Sequence, residues 1–263
     1  MEDLPKGLAS SGAVKIEKRL KSISGGRVLD VATGEGGFID TLMKTLRDYD
    51  SFVGIDNSKK EAEFAKKRFK GHPVEIIHMN AEALEFGNDI FDTVCISFSL
   101  HHLDKIDKVL SEMKHVLRPR GHFIVQEMFC DGEQNKAQKT DMLQHHWDAE
   151  IDSLFSVVHN KTLTKQKIED IVNKLKLKEV EIFESTHYVK CLFCEDKFEC
   201  EDPKSKQIIK QATKEIDDAL DRLRKYPDSK VRARLEEEGK KLRERVKKFG
   251  SAPASYLFCI GKK

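Results

Sequence analysis

The chain has 263 residues, of which 39% are hydrophobic and 35% are charged. This length and composition allow one well-packed core with a smaller appended part, and they exclude a large multidomain assembly within the chain. Because 47 basic residues nearly balance 45 acidic ones, leaving a formal net charge of +2, the composition gives no general electrostatic case for binding nucleic acid or an anionic membrane.

The sequence also carries no visible targeting or membrane signal. Residues 1–6 show neither an apolar signal segment nor an arginine-rich amphipathic pattern, and no apolar run approaches the length needed to cross a bilayer. The six cysteines are then expected to stay reduced, as thiols or as ligands. We therefore predict a cytoplasmic protein without membrane partners.

The first predicted elements are a helix over 12–24 and a short apolar strand over 27–31. The strand continues into a glycine-rich turn with Gly34, Gly36 and Gly37, and a helix over 35–48 follows. Glycines let the backbone turn sharply and approach a ligand closely, and the helix directs its amino terminus at the same place. The pattern predicts a nucleotide-type ligand loop, and the alternative is a glycine turn without a ligand.

A second apolar strand over 52–56 ends in Asp56, at the position where doubly wound folds place an acid that binds ribose hydroxyls. A first acid, Asp30, closes the preceding strand, and Glu35 lies within the loop. Two carboxylates here would repel a pyrophosphate but attract a ligand that carries an amino group and a sulfonium.

Strand and helix patterns continue to alternate as far as residue 128. The predicted helices cover 59–69, with Ser58 as N-cap, and 105–117, and the predicted strands cover 74–78, 92–97 and 122–128. Short connections between such elements predict a parallel sheet with helices on both faces.

The later part of the chain predicts helices over 134–158 and 164–175, the latter capped by Thr162 or Thr164, then strands over 179–185 and 254–261. Residues 186–253 form an insertion of mainly two helices, the first starting with Asp202 as N-cap and Pro203 at its first position. Apolar stripes mark both helices, at Ile208, Ala212, Ile216, Leu220 and Leu223, and at Val231, Leu235, Leu242, Val246 and Phe249. We expect these stripes to pack against each other or against the sheet, as a lid or a dimer surface, beside a core of 1–185 plus 254–263.

Four blocks in fixed order relate the chain to a known family. Residues 28–36 read Val-Leu-Asp-Val-Ala-Thr-Gly-Glu-Gly, and they are followed by 78–84 (His-Met-Asn-Ala-Glu-Ala-Leu), 91–103 (with Phe-Asp-Thr-Val and Leu-His-His-Leu) and 116–125. The set resembles the class I S-adenosylmethionine-dependent methyltransferases, most closely the subgroup of the ubiquinone and menaquinone biosynthesis enzymes. The resemblance implies a doubly wound, mostly parallel seven-stranded α/β sheet whose last strand is antiparallel and inserted beside the sixth.

The resemblance also implies which residues bind the S-adenosylmethionine cofactor, whose demethylated product is S-adenosylhomocysteine. They are Asp30, Ala32, Thr33, Gly34, Gly36, Asp56, Asn57, Asn80, Ala81, Glu82 and Ser97. Two positions depart from the family pattern. Ala32 replaces the usual first glycine of the motif, and Asn80 stands where an aspartate is common.

Candidate acceptor and catalytic residues lie in two places. Ser99, His101 and His102 follow the fourth strand, at the edge where open α/β sheets bind ligands. On the helix over 134–158, His145 lies seven residues before Asp152 and His146 four before Glu150, a spacing that places a carboxylate beside each imidazole. We predict that His145, His146 and Trp147 contact the acceptor, with one of these two histidines or His102 as general base; the alternative is a surface histidine pair around one buried tryptophan.

The start of the insertion holds a further cluster, His187, Cys191, Cys194 and Cys200. Four soft ligands of this kind could hold zinc, although the spacing is not that of a standard finger. The alternative is a set of isolated thiols beneath a lid.

Three functions are left open by the sequence. The first is methyl transfer to a small molecule, since the fourth strand lacks the Asn/Asp-Pro-Pro-aromatic sequence of enzymes that methylate planar amino groups. The second is an RNA or protein methyltransferase whose insertion binds the macromolecule. Acidic residues are interleaved with the basic residues of the insertion, however, which is more typical of a solvent-exposed face. The third is a cofactor-binding scaffold without catalysis; homodimerisation through the insertion is compatible with all three.

Overall fold

The computed structural model of the protein describes residues 12–185 and 202–263. The strands are β1 (Arg27–Val31), β2 (Ser51–Asp56), β3 (Val74–His78), β4 (Phe91–Ser97), β5 (Leu117–Met128), β6 (Lys178–Ser185) and β7 (Tyr256–Lys262). The helices are α1 (Gly12–Leu20), α2 (Gly37–Thr45), α3 (Lys59–Arg68), α4 (Ile106–Val116), α5 (Lys136–Leu154), α6 (Lys165–Lys174), α7 (Lys206–Leu223) and α8 (Lys230–Phe249), with a single 3₁₀ turn at Leu100–His102.

The described strands form one seven-stranded sheet in the order β3-β2-β1-β4-β5-β7-β6. β1 pairs in parallel with β2 and β4, β2 pairs in parallel with β3, and β4 with β5, whereas β6 and β7 are antiparallel to each other. The predicted fold class is confirmed, including the position of the last strand beside the sixth.

The centre of the sheet is the main hydrophobic core. Val28, Leu29 and Val31 of β1 are fully buried, as are Val94 and Ile96 of the neighbouring β4. Such continuous apolar runs are typical of parallel strands that are covered on both faces. Helix α3 packs on β2 and β3, and α4 packs on β4.

The described residues divide into two compact units. The first contains the whole sheet and comprises residues 12–127, 166–185 and 256–263. The second comprises 128–165 and 202–255, so that α5 groups with the two helices of the predicted insertion. The sequence divides the chain differently, since it assigns residues 128–165 to the core.

Helices α5, α7 and α8 form a bundle around one apolar cluster in the second unit. Its buried members are Trp147, Ile151, Ala212, Ile216, Ala219, Leu220, Leu223, Leu235, Leu242 and Val246. Gly239 of α8 is required there, because a Cβ on it would lie 2.7 Å from Cζ2 of Trp147 and 2.9 Å from Cδ2 of Leu220. Most residues of the two predicted stripes thus pack against each other and against α5, whereas Ile208 and Phe249 lie outside the cluster.

Two predictions about this bundle are wrong. Helix α7 begins at Lys206 rather than after Asp202, because Asp202 accepts from the backbone N–H of Lys204 (2.9 Å) in a turn, and Ser205 caps the helix by accepting from Ile208 N–H (3.2 Å). Val231 does not belong to the packed stripe. It lies in the first turn of α8, before the buried face begins at Leu235, and is 44% exposed.

The other predicted elements are found within a few residues of their predicted ends, and Ser58 caps α3 as expected. β5 is longer than predicted, since it starts at Leu117 rather than near 122. Among the described residues no helix combines the length and the apolarity that crossing a membrane requires.

Candidate functional site

The strand order reverses beside β1, since the chain passes from β1 to β2 and β3 on one side and returns to β4 on the other. In open parallel sheets, ligands bind in the crevice outside the carboxyl ends of the strands at such a point. The loops after β1, β2 and β4 meet there, and they carry most of the cofactor residues predicted from the sequence.

The loop after β1 has an unusual backbone. Ala32, Gly34 and Gly36 have φ angles of 55°, 51° and 86°, in the left-handed region that favours glycine. Ala32 therefore adopts a left-handed conformation that a glycine would tolerate better, at a cost in strain. The loop is held by hydrogen bonds from Thr33 N–H to the carbonyl of Ile55 (2.9 Å) and from Gly36 N–H to that of Thr33 (2.8 Å).

Two glycines of the loop serve different purposes. A Cβ on Gly36 would lie 2.2 Å from Cε2 of Phe69, so this position is closed to any side chain. A Cβ on Gly34 would meet no atom within 4 Å. The space beside Gly34 is thus open to a ligand, which can approach the backbone directly.

Asp56 joins the first two loops through its carboxylate. Oδ2 accepts from the N–H of Gly34 (2.8 Å), and Oδ1 accepts from the N–H of Ser58 (2.8 Å). Since a carboxylate offers about four acceptor sites, two remain for a diol. The next residue, Asn57, has its carbonyl oxygen 3.0 Å from Nε2 of His78, which ties the loop to the end of β3.

Asp30 lies at the end of β1 and is 1% exposed. Its Oδ2 accepts from the hydroxyl of Thr33 (2.6 Å), and the thiol of Cys95 donates to Oδ1 (3.4 Å). Burial raises the pKa of Asp30 to about 7, an effect that these two hydrogen bonds lessen. The carboxyl group therefore changes its charge close to neutral pH, directly beneath the loop.

The segment after β3 is folded on itself. Oδ1 of Asn80 accepts from the N–H of Glu82 (2.9 Å), across Ala81. The Glu82 carboxylate pairs with Lys105 (3.0 Å) and, at 3.8 Å, with Lys108. Asn80 thus shapes the turn, and its amide oxygen retains one further lone pair for a ligand donor.

The end of β4 brings the polar residues of the fourth block together. The hydroxyl of Ser99 donates to the carbonyl of Ser97 (2.8 Å) and lies 3.4 Å from that of Ala32. The hydroxyl of Ser97 reaches Oε1 of the buried Gln126 at 3.5 Å. The loops after β1 and β4 are therefore in contact through Ser99.

His101 has a different place from the one predicted. Its ring is 1% exposed, and Nδ1 lies 2.9 Å from Oε1 of the fully buried Glu127, whose Oε2 accepts from the N–H of Leu100 (2.6 Å). His101 thus holds the turn in place and offers almost no surface to an acceptor. His102 is exposed, and its ring centroid lies 4.2 Å from that of His101.

Glu127 is a site residue that the sequence analysis missed. It lies near the end of β5, 26 residues after His101, and pattern alone does not pair the two. The available signal was a charged residue shortly after an apolar run, Phe123 to Val125, in the same predicted strand.

Trp147 is buried, whereas the sequence predicts that it contacts the acceptor. It is 4% exposed within the bundle core, and its indole N–H donates to the carbonyl of Leu235 (2.9 Å). The packing alternative weighed above describes it correctly.

The two histidines beside it do not pair with the predicted carboxylates. Nε2 of His146 lies 2.6 Å from the hydroxyl of Thr162, whereas Glu150 pairs with Arg234 (2.7 Å) and Lys161 (3.0 Å).

His145 is separated from Asp152 by His159, which the sequence analysis missed. Nε2 of His159 lies 3.1 Å from Nε2 of His145, and its Nδ1 lies 2.6 Å from Oδ2 of Asp152. The predicted zinc ligands His187, Cys191, Cys194 and Cys200 lie outside the described residues.

Comparison with known proteins places this geometry in context. Residues 29–125 match a family model described as a methyltransferase domain. The chain is 32% identical over 134 residues to the ubiquinone/menaquinone biosynthesis C-methyltransferase of Hahella chejuensis, covering 48% of this chain and 54% of that protein. It is 29% identical over 114 residues to the demethylmenaquinone methyltransferase of Staphylococcus saprophyticus, covering 43% and 49%. The chain thus spans about half the length of the curated relatives it matches.

Among solved structures, the chain resembles phosphoethanolamine N-methyltransferase 2 of Haemonchus contortus in complex with S-adenosyl-L-methionine. The TM-score is 0.54 at 18% sequence identity, over 95% of this chain and 51% of that one. At this identity the likeness shows the fold. Together with the matched domain, it confirms the family resemblance identified from the four sequence blocks.

Proposed function

We propose that this chain, whose residues 29–125 match a family model described as a methyltransferase domain, transfers a methyl group from S-adenosylmethionine to a small-molecule acceptor. The observation that carries the proposal is the loop after β1. Asp56 anchors Gly34 at 2.8 Å while the space beside Gly34 stays open. This combination suits a nucleoside whose ribose diol binds Asp56 and whose chain passes over the glycines.

The residues present fit each part of this cofactor. Asp56 would accept from the ribose hydroxyls, and Asn80 with the turn to Glu82 would face the adenine. The buried carboxyl of Asp30 would supply negative charge near the amino and sulfonium groups. When bound, the cofactor supplies an electrophilic methyl group.

The protein's own contribution is chiefly to hold the acceptor in line and to exclude water. For an acceptor that must lose a proton, we propose His102 as general base. It lies in the exposed part of the turn after β4, and the buried pair of His101 and Glu127 fixes that turn. His146 bonds Thr162, and His145 bonds His159, so both are engaged within their own unit.

A small-molecule acceptor is favoured by the relatives, which are named for methylation in quinone biosynthesis. The fourth strand of this chain also ends in Ser-Phe-Ser-Leu-His-His, without the sequence used to methylate planar amino groups. We also propose that the enzyme is cytoplasmic and that its acceptor is a small metabolite.

The proposal is tested by incubating the protein with methyl-labelled cofactor and a cell extract that has been fractionated by size. We expect label in the small-molecule fraction. His102→Gln should lower turnover by about 100-fold or more, the usual contribution of a general base, with cofactor affinity unchanged.

His115→Gln is the matched control, since His115 also lies in the first unit but contacts the carbonyl of Phe86 (3.4 Å) and should leave turnover intact. Label confined to RNA or protein would replace the small-molecule acceptor with a macromolecule. Tight cofactor binding with no label in any fraction would favour the scaffold function.

A further inference from the structure

Two imidazoles face each other within the second unit. His145 lies on α5 and His159 lies in the segment that follows this helix. Their Nε2 atoms are 3.1 Å apart, with ring centroids at 4.6 Å and an angle of 70° between the ring planes. The Nε2 atoms of both rings thus point into the same small volume.

A carboxylate fixes the orientation of one of these rings. Oδ2 of Asp152 lies 2.6 Å from Nδ1 of His159, and Oδ1 of Asp152 pairs with Arg222 at 2.7 Å. An ionised Asp152 only accepts hydrogen bonds, so His159 carries its proton on Nδ1 and directs the lone pair of Nε2 towards His145. Histidines that bind metals are commonly oriented by a carboxylate in this way.

The separation of the two nitrogens suits a shared ion. In tetrahedral coordination, two nitrogen ligands with bonds of about 2.0–2.1 Å to zinc lie about 3.3 Å from each other. The two Nε2 atoms here are 3.1 Å apart. We propose that Nε2 of His145 and Nε2 of His159 bind a divalent transition-metal ion of the zinc type, with Asp152 as the orienting residue and water completing the coordination.

The proton balance follows from the hydrogen bond that the ion replaces. Without metal, one proton lies between the two Nε2 atoms, since Asp152 holds the other proton of His159 on Nδ1. To bind an ion through Nε2, His145 moves this proton to its own Nδ1, so the neutral pair releases no proton. A protonated imidazole cannot act as a ligand, so metal affinity falls as the pH is lowered. Imidazole ligands suit zinc, copper, iron and nickel.

Such an ion would join α5 to the segment after it. The hydrogen bond between His146 and Thr162 already links the same helix to this segment. The proposed site is chemically different from the predicted cluster of His187, Cys191, Cys194 and Cys200, because its protein ligands are nitrogen only.

The test is a titration of the full-length, metal-free protein with Co²⁺, followed by visible absorption. We expect binding without a sulfur-to-cobalt charge-transfer band, also when Cys191, Cys194 and Cys200 are all replaced by serine. His145→Gln and His159→Gln should each weaken binding by at least about 100-fold, and Asp152→Asn by about 10- to 100-fold, as for other orienting carboxylates. The exposed His72 provides the control, since His72→Gln should bind cobalt as the unmodified protein does.

A second measurement needs no variant. The EPR spectrum of the Cu²⁺-loaded unmodified protein should show coupling to imidazole nitrogens. Cobalt affinity that is unchanged in His145→Gln and His159→Gln, or a copper spectrum without nitrogen coupling, would reduce the pair to an ordinary hydrogen bond and overturn the proposal. Neither measurement depends on methyl transfer, so this site and the proposed function can fail separately.

Discussion

Asp30 links the chemistry of a single residue to the stability of the cofactor loop. Burial raises the pKa of its carboxyl group from an ordinary value of 3.8 to about 7. A carboxyl group whose pKa is higher in the folded than in the unfolded state binds its proton more tightly when folded. Its stabilising contribution is complete below the unfolded pKa and is lost as the pH rises through about 7.

We predict that Asp30→Asn makes stability less dependent on pH. The free energy of unfolding of the unmodified protein should fall between pH of about 4 and about 7, and that of the variant should fall less, since asparagine stays neutral. Burial also raises the pKa of Asp141 and of Asp148 to about 7, but both remain in the variant and cancel in the comparison. Urea unfolding at several pH values, without ligand, provides the measurement; parallel curves for the two proteins would show that Asp30 does not titrate in this range.

The residues that were predictable from sequence are those that belong to one continuous motif. Asp30, Gly34 and Asp56 could be identified because the loop and the acid that follows it have a fixed spacing. Glu127, His159 and Thr162 could not, because each meets its histidine partner only through the folded chain. Helical spacing predicted that Glu150 would pair with His146. The arginine and the lysine that reach Glu150 instead lie outside this helix, so helical spacing cannot predict them.

At the scale of elements, α5 shows how a correctly predicted helix can still leave its packing partners unpredicted. The sequence indicated a polar helix with one tryptophan among histidines, and nothing local identified the surface that Trp147 faces. In the structure this surface consists of α7 and α8, where Gly239 leaves room for the indole ring. The start of α7 illustrates the same limit, because Asp202-Pro203 and Ser205 both satisfy the rules for a helix start and only one of them caps the helix.

We predict that Trp147→Ala destabilises the protein by about 3–5 kcal/mol, as expected for removing a buried tryptophan. Trp147→Phe is the matched variant, since it keeps most of the packing and loses chiefly the hydrogen bond to Leu235, worth about 1 kcal/mol. Denaturant unfolding followed by circular dichroism measures both effects. A Trp147→Ala protein of normal stability with impaired turnover would instead restore the acceptor contact expected from the sequence.

At the scale of the molecule, the chain comprises a sheet unit that carries the methyltransferase motif and a helical unit built from α5, α7 and α8. The alternation of strands and helices made the first unit predictable, because short connections between parallel strands leave few topologies. The extent of the second was not predictable, since residues 128–165 join it through packing rather than through sequence continuity. A lid or dimer role for its helices stays a prediction.

The central claim is that the crevice defined by Asp30, Gly34 and Asp56 binds S-adenosylmethionine. Isothermal titration calorimetry of the folded protein tests it most directly, with the cofactor and with S-adenosylhomocysteine in turn. We predict one site per chain, weakened at least about tenfold by Asp56→Ala through loss of charged hydrogen bonds, and unchanged by Asp50→Ala just before the opposite end of β2. The account would be contradicted if neither nucleoside gave binding heat at several temperatures with protein that is shown to be folded.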